Sequence, residues 1–570
     1  MAGPIHYEVF IRKTAPAPWS LLMAVEDRKQ AIETAEDLLK DDRAAAVRVT
    51  KETLDPDTME FASITILTKG APEVKRKRLV SEEDAGPSCK GPQDLYAPHA
   101  RELIGRVLDD WLARQGVTAF ELLHRPDLAE RLEASGVELQ HAIQKVAVPE
   151  SQAVGQPVHE LVRRYQKLSE QAIERLLATG RAQRIPDLSD RSIADVAHRL
   201  SGKADRAFLM GGAVAGALSG ARGARAKLDR LMDLAESAPA DGAPRALALV
   251  PIEQLSCELL SARTGLAEIL GPALDQGASL AAVVRMVAPR EIELVSRHDP
   301  DLALLIPPLD GPANRLAARL EAGEFRLLAS LLARMVTREL MSPRRLRPSD
   351  ATGEIEVLRA LATLLTAAAG RLLTQEEVQA AFAERSKSLV TADFVAAYVK
   401  GCPTVREEAE HLAWLCENVT GAANKRSAAR WMSACVSSLR FESEMRQSGQ
   451  SPSQKLASLA ALQRSARVCE LGEVEEAKLC EAIGAVGDVV ERETRLVAQL
   501  SRAKAPLPQK LSALLRLASG EAAPLGPAAD RAKAEALRLL RQPQTRAELG
   551  ASPEVIGPLK DLMRSAGLAA

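Results

Sequence analysis

The chain has 570 residues, of which 46% are hydrophobic, 26% are charged and only 3% are aromatic. So large an apolar share excludes a disordered chain. So few aromatic rings argue against an aromatic-rich β-sandwich or a nucleic-acid binder that stacks bases. Lys plus Arg number 75 and Asp plus Glu number 76, so the net charge is −1 and the chain lacks the strong basic excess of nucleic-acid binders. The composition therefore favours closely packed helices.

Seven cysteines are spread along the chain without a Cys-x-x-Cys pair, which indicates free thiols in a reducing compartment. The first residues lack the basic and then apolar profile of a secretion signal. The longest uncharged stretch, 207–221, is too short and too rich in glycine to span a bilayer. We therefore expect a cytoplasmic protein without a membrane span.

Residues 1–69 differ from the rest of the chain because their apolar residues alternate with a period of two. The alternation from Ile5 to Ile11 predicts a strand, and 19–25 supplies a second one. Asp27 stands at the N-cap position of a predicted helix. The pattern then predicts a strand at 47–49, a turn at 55–58 and a returning strand at 64–66, with a bulge near 61–62. Together these elements make a small α+β module of order ββαββ.

Residues 70–93 are expected to form a flexible linker, because this segment has low hydrophobicity and carries blocks of opposite charge. Its basic run, Lys75–Arg78, resembles a nuclear import signal, although short basic runs also occur in exposed linkers. Beyond the linker, the apolar residues of each periodic segment have helical spacing.

The predicted fold class is therefore mainly α. A small N-terminal α+β (ββαββ) module is followed by a long multi-helical body, which is either an irregular α-solenoid or a set of stacked helical bundles. The body divides into predicted subdomains at 94–203, at 204–350 with a glycine seam, at 351–450 with six of the sixteen aromatic residues, and at 451–570 with many Ala and Leu. In the last of these, Gln454–Leu462 resembles Gln509–Leu517 at an offset of 55 residues, which predicts a duplicated helical pair.

Three glycines at a spacing of four, Gly212, Gly216 and Gly220, form a candidate packing seam. On a continuous helix they would lie within about 40° of one face and allow another helix to approach closely. The first interpretation is packing between two helices of this chain, and the second is self-association through the seam. Each glycine weakens a helix by about 1 kcal/mol relative to alanine, which favours a use for the seam.

No pattern of residues identifies a catalytic site. A phosphate-binding loop, a helix-borne His-Glu-x-x-His metal motif and a Gly-x-Ser-x-Gly nucleophile motif are all absent from the sequence. The adjacent pair His298–Asp299 is similar to the His-Asp pair of helical metal-dependent phosphohydrolases, although the sequence does not identify the further ligands that such a site needs. The alternative interpretation places the pair at a helix end, where a cationic His complements the helix dipole. We expect no cofactor and no metal.

Two basic segments are candidate contact surfaces. A loop bounded by Pro343 and Pro348 carries Arg344, Arg345 and Arg347. Residues 501–570 hold 11 Lys and Arg against 6 Asp and Glu, a local charge of +5. Such segments can attract acidic proteins, anionic lipid or nucleic acid, and the alternative is an ordinary solvated basic face.

Six of the sixteen aromatic residues lie between Phe382 and Phe441. Packing in the core of one subdomain is the first interpretation of this cluster. A groove for a partner helix is the second, with Trp414 and Trp431 as contact residues, because Trp is enriched at binding hot spots. The apolar spacing in this region also predicts one continuous helix over 423–444.

The sequence as a whole favours a cytoplasmic, non-enzymatic protein that acts as an interaction scaffold or regulatory adaptor, with other proteins as its partners. One alternative is a helical metal-dependent phosphohydrolase centred on His298 and Asp299. Another is a nucleic-acid-associated regulator that uses the basic segments, although the balanced charge makes nucleic acid a weaker expectation than protein.

Overall fold

The computed structural model describes residues 5–13, 19–41, 43–54, 61–71, 89–542, 545 and 553–568. Within this part of the chain the predicted fold class is confirmed: a four-stranded antiparallel sheet lies near the N-terminus and a long helical body follows it. The predicted turn at 55–58 and most of the predicted linker, including Lys75–Arg78, lie outside the described residues.

The N-terminal module has the predicted order ββαββ. Its elements are the strands β1 (Ile5–Arg12), β2 (Ser20–Val25), β3 (Ala46–Leu54) and β4 (Phe61–Gly70), and the helix α1 (Arg28–Lys40). The strands lie in the order β2-β1-β3-β4, and all neighbours are antiparallel. Helix α1 begins after Asp27, whose side chain accepts a hydrogen bond from the backbone N–H of Lys29 at 2.8 Å, as its predicted N-cap position requires.

One face of this sheet packs against α1, because the period-two alternation brings its apolar residues to the same side. Val9 is paired with Val49 across β1 and β3, and both are fully buried together with Ala31 and Ala35 of the helix. The predicted bulge near 61–62 is wrong, since that part of β4 pairs in register with β3. The register shift lies instead at Ile66, so that both Ile66 and its neighbour Leu67 pack against this core.

Most of the remaining described chain is helical. A short 3-10 helix at Asp94–Tyr96 precedes α2 (Pro98–Val107), α3 (Asp109–Gln115), α4 (Ala119–His124), α5 (Pro126–Ser135), α6 (Val137–Val154), α7 (Val158–Arg181), α8 (Ile193–Leu200), α9 (Arg206–Ala217) and α10 (Gly223–Glu236). Next come α11 (Gly242–Ser261), α12 (Gly265–Leu270), α13 (Gln276–Val287), α14 (Pro289–His298), α15 (Pro300–Leu304), α16 (Gly311–Glu321), α17 (Arg326–Met341), α18 (Ala351–Ala367), α19 (Gln375–Leu389) and α20 (Ala392–Val399). The last are α21 (Val405–Asn418), α22 (Ala422–Val436), α23 (Leu439–Gln447), α24 (Pro452–Val468), α25 (Glu473–Thr494), α26 (Leu496–Arg502), α27 (Leu507–Ala518), α28 (Pro527–Leu540) and α29 (Pro553–Ser565). Among the described residues, no helix has both the length and the apolar character that a bilayer span requires.

The helix boundaries follow local capping. Thr374 accepts from the backbone of Glu377, whose carboxylate in turn accepts from the backbone of Thr374, and this reciprocal pair begins α19. The single helix predicted over 423–444 is wrong, because α22 ends at Val436 and α23 begins at Leu439. Ser438 starts α23 by accepting a hydrogen bond from the backbone N–H of Phe441 at 3.1 Å.

The chain divides into two compact units. The first comprises residues 1–100 and 140–169, and it contains the sheet core and a small cluster around Cys89, Ala100 and Leu168. The second comprises residues 101–139 and 170–570, and most of its buried apolar residues belong to one continuous cluster. The division into six segments at 1–69, 70–93, 94–203, 204–350, 351–450 and 451–570 stays a prediction.

The two similar segments of the C-terminal region both lie on helices. Gln454–Leu462 belongs to α24, which packs against α25, and Gln509–Leu517 belongs to α27, which packs against α28. Each copy thus opens a pair of packed helices, although a common origin of the two pairs stays a prediction.

Candidate functional site

The glycine seam is shorter than the sequence predicts. Helix α9 ends at Ala217, so Gly220 lies beyond the helix and cannot share one of its faces with Gly212 and Gly216. A Cβ atom at Gly212 would lie 3.0 Å from Ile185 Cγ2, whereas one at Gly216 or Gly220 would meet no atom of the described residues within 4 Å. The continuous three-glycine face is therefore wrong, while self-association through these residues stays a prediction.

Close packing of α9 depends instead on Gly211, which the four-residue spacing did not single out. A Cβ atom there would lie 2.5 Å from His124 Nε2 and 3.3 Å from Phe120 Cζ, both on α4. The ring of His124 cannot move away easily, because its Nδ1 lies 2.8 Å from the carbonyl oxygen of Phe120 and its centroid lies 4.1 Å from that of the Phe120 ring. The glycine is needed where the two helices meet.

This difference predicts opposite effects for two alanine substitutions on one helix. Gly211→Ala should lower the free energy of unfolding by about 1–3 kcal/mol, because the added methyl group overpacks the contact with His124. Gly216→Ala should leave it unchanged or raise it by up to about 1 kcal/mol, because it meets open space and improves helix propensity. Thermal unfolding followed by circular dichroism would compare the two proteins, and a Gly211→Ala protein as stable as the Gly216→Ala protein would contradict the expectation.

Gly212 and Gly216 line a cavity of about 990 Å³ in the second unit, which we name the basic cleft. Its walls come from the C-terminal ends of α4 and α7, the loop 182–192, and helices α8 and α9. The charged residues that line it are the cations Arg125, Arg184, Arg191, Arg199 and Lys203 and the carboxylates Asp127, Asp187 and Asp190. Sequence reasoning did not find this site, because its cations come from several elements and form no run along the chain.

Two of the five cations in the basic cleft already have carboxylate partners. Arg125 lies 2.8 Å from Asp127 and 3.5 Å from Glu121, and Arg184 is paired with Asp205. For the other three, no ion pair is found within the described residues. Those three are Arg191, Arg199 and Lys203, and all are exposed at the cleft.

His124 also lines the basic cleft, but its surroundings keep the imidazole neutral. Burial of the ring lowers the pKa of His124 to about 4, and the cations Arg101 and Arg175 act in the same direction, against the hydrogen bond to Phe120. At neutral pH, His124 is therefore an uncharged residue that packs against Gly211 and Phe120.

Two of the three arginines in the basic loop at 343–348 contact other residues of the same chain. The guanidinium of Arg345 lies 5.0 Å from the centroid of the Phe394 ring, and Arg347 Nε lies 2.9 Å from a carboxylate oxygen of Asp275. Of the three, Arg344 is exposed, whereas Arg345 and Arg347 are half-buried. These contacts favour a structural role for Arg345 and Arg347 and leave Arg344 as the accessible cation of the predicted surface.

The basic C-terminal region is also neutralised in part by carboxylates. Arg538 lies 2.6 Å from Glu535, and Arg531 lies 2.6 Å from Asp488 and 2.5 Å from Glu491. The local excess of positive charge in the sequence is thus smaller on the folded chain, because α25 supplies acidic partners from outside the region.

The aromatic residues between 382 and 441 separate into buried and accessible rings. Four are buried in the core: Phe382, Phe394, Tyr398 and Phe441. Trp414 is half-buried, with the guanidinium of Arg359 at 4.6 Å from its ring centroid. Trp431 is 36% exposed, and its indole N–H donates a hydrogen bond of 3.0 Å to the carbonyl oxygen of Val390.

His298 and Asp299 lie where α14 ends and α15 begins, and the side chain of each contacts the backbone there. His298 Nδ1 lies 2.8 Å from the carbonyl oxygen of Leu294 at the end of α14, and Asp299 accepts from the backbone N–H of Leu302 as the N-cap of α15. In the ranges that the structure describes, no three or more His, Cys, Asp or Glu side chains lie close enough to hold a metal ion together. The surroundings therefore favour the helix-end interpretation of this pair.

The chain was also compared with known proteins. No protein-family model, no curated protein and no solved structure matches it. The proposals that follow accordingly rest on the contacts, exposure and charges of its own residues.

Proposed function

We propose that this chain is a cytoplasmic, non-enzymatic adaptor that binds another protein, and that helix α22 carries the contact surface. The observation that carries the proposal is the accessible ring of Trp431, held in place on this helix. All seven cysteines are free thiols, as is usual for proteins of a reducing compartment.

Trp431 has the properties of an interface anchor. Its side chain offers a large apolar ring to solvent, while the hydrogen bond to Val390 restricts the orientation of the indole. A ring that is already ordered loses less conformational entropy when a partner covers it. Trp and Arg are also among the residues that contribute most to binding at protein interfaces.

Two arginines lie on the same helix as this anchor, at about 100° (Arg430) and about 140° (Arg426) around the helix axis from Trp431. Arg426 and Arg430 are exposed and lie one turn apart, and within the described residues neither has an ion pair. We name Arg426, Arg430 and Trp431 the Trp431 surface. Its charge and its ring together suit a partner segment that carries acidic residues beside an apolar side chain.

Crosslinking in cells, followed by purification and quantitative mass spectrometry, tests this proposal. We expect Trp431→Ala to reduce recovery of the specific partners at least tenfold, and Arg426→Glu/Arg430→Glu to do the same, because one loses the anchor and the other repels an acidic segment. Leu304→Ala is the control, since Leu304 is 86% exposed and lies on another helix, α15. It should recover the same partners as the unmodified chain.

Two outcomes would contradict the proposal. One is recovery of the same partners in the same amounts with Trp431→Ala and with the double arginine variant. The other is an equal loss with Leu304→Ala. Circular dichroism of each purified variant would establish that its helical content is retained.

A further inference from the structure

We propose that the basic cleft is a binding site for a small organic phosphate, whose anionic group is held by Arg191, Arg199 and Lys203. The site lies on α8, α9 and their neighbouring loops and does not involve the Trp431 surface. It therefore does not depend on the adaptor function proposed above.

The size of the basic cleft suits a small molecule. Its volume of about 990 Å³ lies at the upper end of the range of about 300–1,000 Å³ that ligand pockets occupy. A Cβ atom at Gly216, on one wall of the cleft, would have no neighbour within 4 Å among the described residues. Next to this glycine, therefore, none of the described side chains fills the cleft.

The unpaired cations determine the charge of the ligand. Arg191, Arg199 and Lys203 line one cavity without an ion pair in the described part of the chain, and an anion bound between them would reduce the repulsion among their like charges. A phosphate monoester carries close to two negative charges and three acceptor oxygens at neutral pH, so that it can engage more than one of these cations. The planar guanidinium of arginine also matches two phosphate oxygens at once.

The carboxylates of the basic cleft do not change this preference. Asp127 is paired with Arg125, and Asp187 accepts a hydrogen bond of 2.8 Å from the backbone N–H of Ser189. Asp190 is the remaining carboxylate of the lining. Three cations of the lining thus face two carboxylates, Asp187 and Asp190, and no ion pair is found for any of the five within the described residues. The unpaired charge of the lining is therefore +1, which favours an anion over a cation.

The apolar residues of the lining determine the rest of the ligand. Val196 and Leu200 are each 2% exposed and already belong to the core, so the accessible apolar part of the lining is formed by the half-buried Ile185, Pro186 and Pro126. An inorganic ion would leave these three side chains in contact with water. A phosphate that carries an apolar organic group would cover them while its charge meets the cations.

A fluorescence titration with 1-naphthyl phosphate tests the site, with 1-naphthol and inorganic phosphate as separate probes of the two halves of the ligand. We expect saturable binding of 1-naphthyl phosphate at least tenfold tighter than that of either separate probe. Arg199→Glu/Lys203→Glu should weaken this binding at least tenfold. The matched control is Arg163→Glu/Lys167→Glu on α7, an exposed Arg and Lys at the same spacing, which should bind as the unmodified chain does.

A second variant fills the site without changing its charge. Gly216→Leu places a side chain into open space and should weaken binding of 1-naphthyl phosphate while leaving the thermal unfolding temperature unchanged or higher. The proposal is overturned if 1-naphthyl phosphate shows no saturable binding at millimolar concentration, if both charge-reversal variants weaken it equally, or if 1-naphthol binds as tightly. Unchanged binding in Arg199→Glu/Lys203→Glu would overturn it as well.

Discussion

Replacing Arg385 by methionine is expected to lower the free energy of unfolding of the surrounding helices by about 3–5 kcal/mol, because it leaves Glu354 charged and buried without its partner. Arg385 Nη2 lies 2.7 Å from Glu354 Oε1, and each side chain is only 1% exposed. The pair joins α18 to α19. Arg385 also donates to the carbonyl oxygen of Ser342, and Glu354 accepts from the backbone N–H of Arg347 at 2.6 Å.

Hydrogen exchange followed by mass spectrometry would measure this effect on peptides from α18 and α19, since it reports the free energy of local opening. Arg106→Met is the control, because Arg106 and its partner Glu102 are both exposed. Exposed pairs of this kind contribute less than about 1 kcal/mol to the free energy of unfolding. The double variant Glu354→Leu/Arg385→Met should be less destabilised than Arg385→Met, because no unpaired charge remains. Equal exchange in Arg385→Met and in the unmodified chain would show that the buried pair does not stabilise these helices.

The second large effect is expected from Lys227→Met, again about 3–5 kcal/mol. Lys227 Nζ lies 2.7 and 2.6 Å from the two carboxylate oxygens of Glu121 and 2.7 Å from the carbonyl oxygen of Gly116. The side chain of Glu121 is fully buried and that of Lys227 is 3% exposed. Removing the ammonium group would take the cation from the buried Glu121 carboxylate and one donor from the carbonyl oxygen of Gly116.

The loss should fall at the lower end of this range, because Arg125 lies 3.5 Å from the same carboxylate and the backbone N–H of Thr118 still donates to it. Arg230→Met is the matched control on the same helix, α10, since its pair with Asp233 is exposed. Hydrogen exchange of peptides from α4 and α10 would measure both variants. If the two variants opened these helices equally, burial would not be what makes the Lys227 pair strong.

Local patterns along the chain were sufficient to predict its secondary structure class. In the N-terminal module, the alternation around Val9 and Val49 places both residues on the face that α1 covers, and Asp27 begins that helix as its residue type requires. In the body, helical spacing of Leu and Ala predicts helices because it brings these residues to one stripe. The ends of helices were less predictable. Around Ser438 the apolar residues keep their helical spacing, although this serine caps the start of a new helix.

The candidate sites were harder to predict than the secondary structure, because they depend on which helices and loops come together in the folded chain. The four-residue spacing drew attention to Gly212 and Gly216, yet the close contact is at Gly211, because only the folded chain brings His124 to that position. The sequence predicts that Arg345 and Arg347 lie in an accessible basic loop. In the folded chain, however, Arg345 contacts Phe394 and Arg347 is paired with Asp275, and both partners come from distant parts of the chain. Long-range neighbours of this kind have no signature in local spacing.

The low aromatic content of the sequence and the spacing of its apolar residues were enough to predict a mainly helical chain with a small sheet module in front. Only the tertiary structure decided which charges are buried in pairs, which cations remain unpaired around the basic cleft and which tryptophan stays accessible. The physical reason is that helix and strand formation depend on residues a few positions apart. Burial and ion pairing depend on residues that folding brings together from distant positions, for example the 106 positions that separate Glu121 from Lys227.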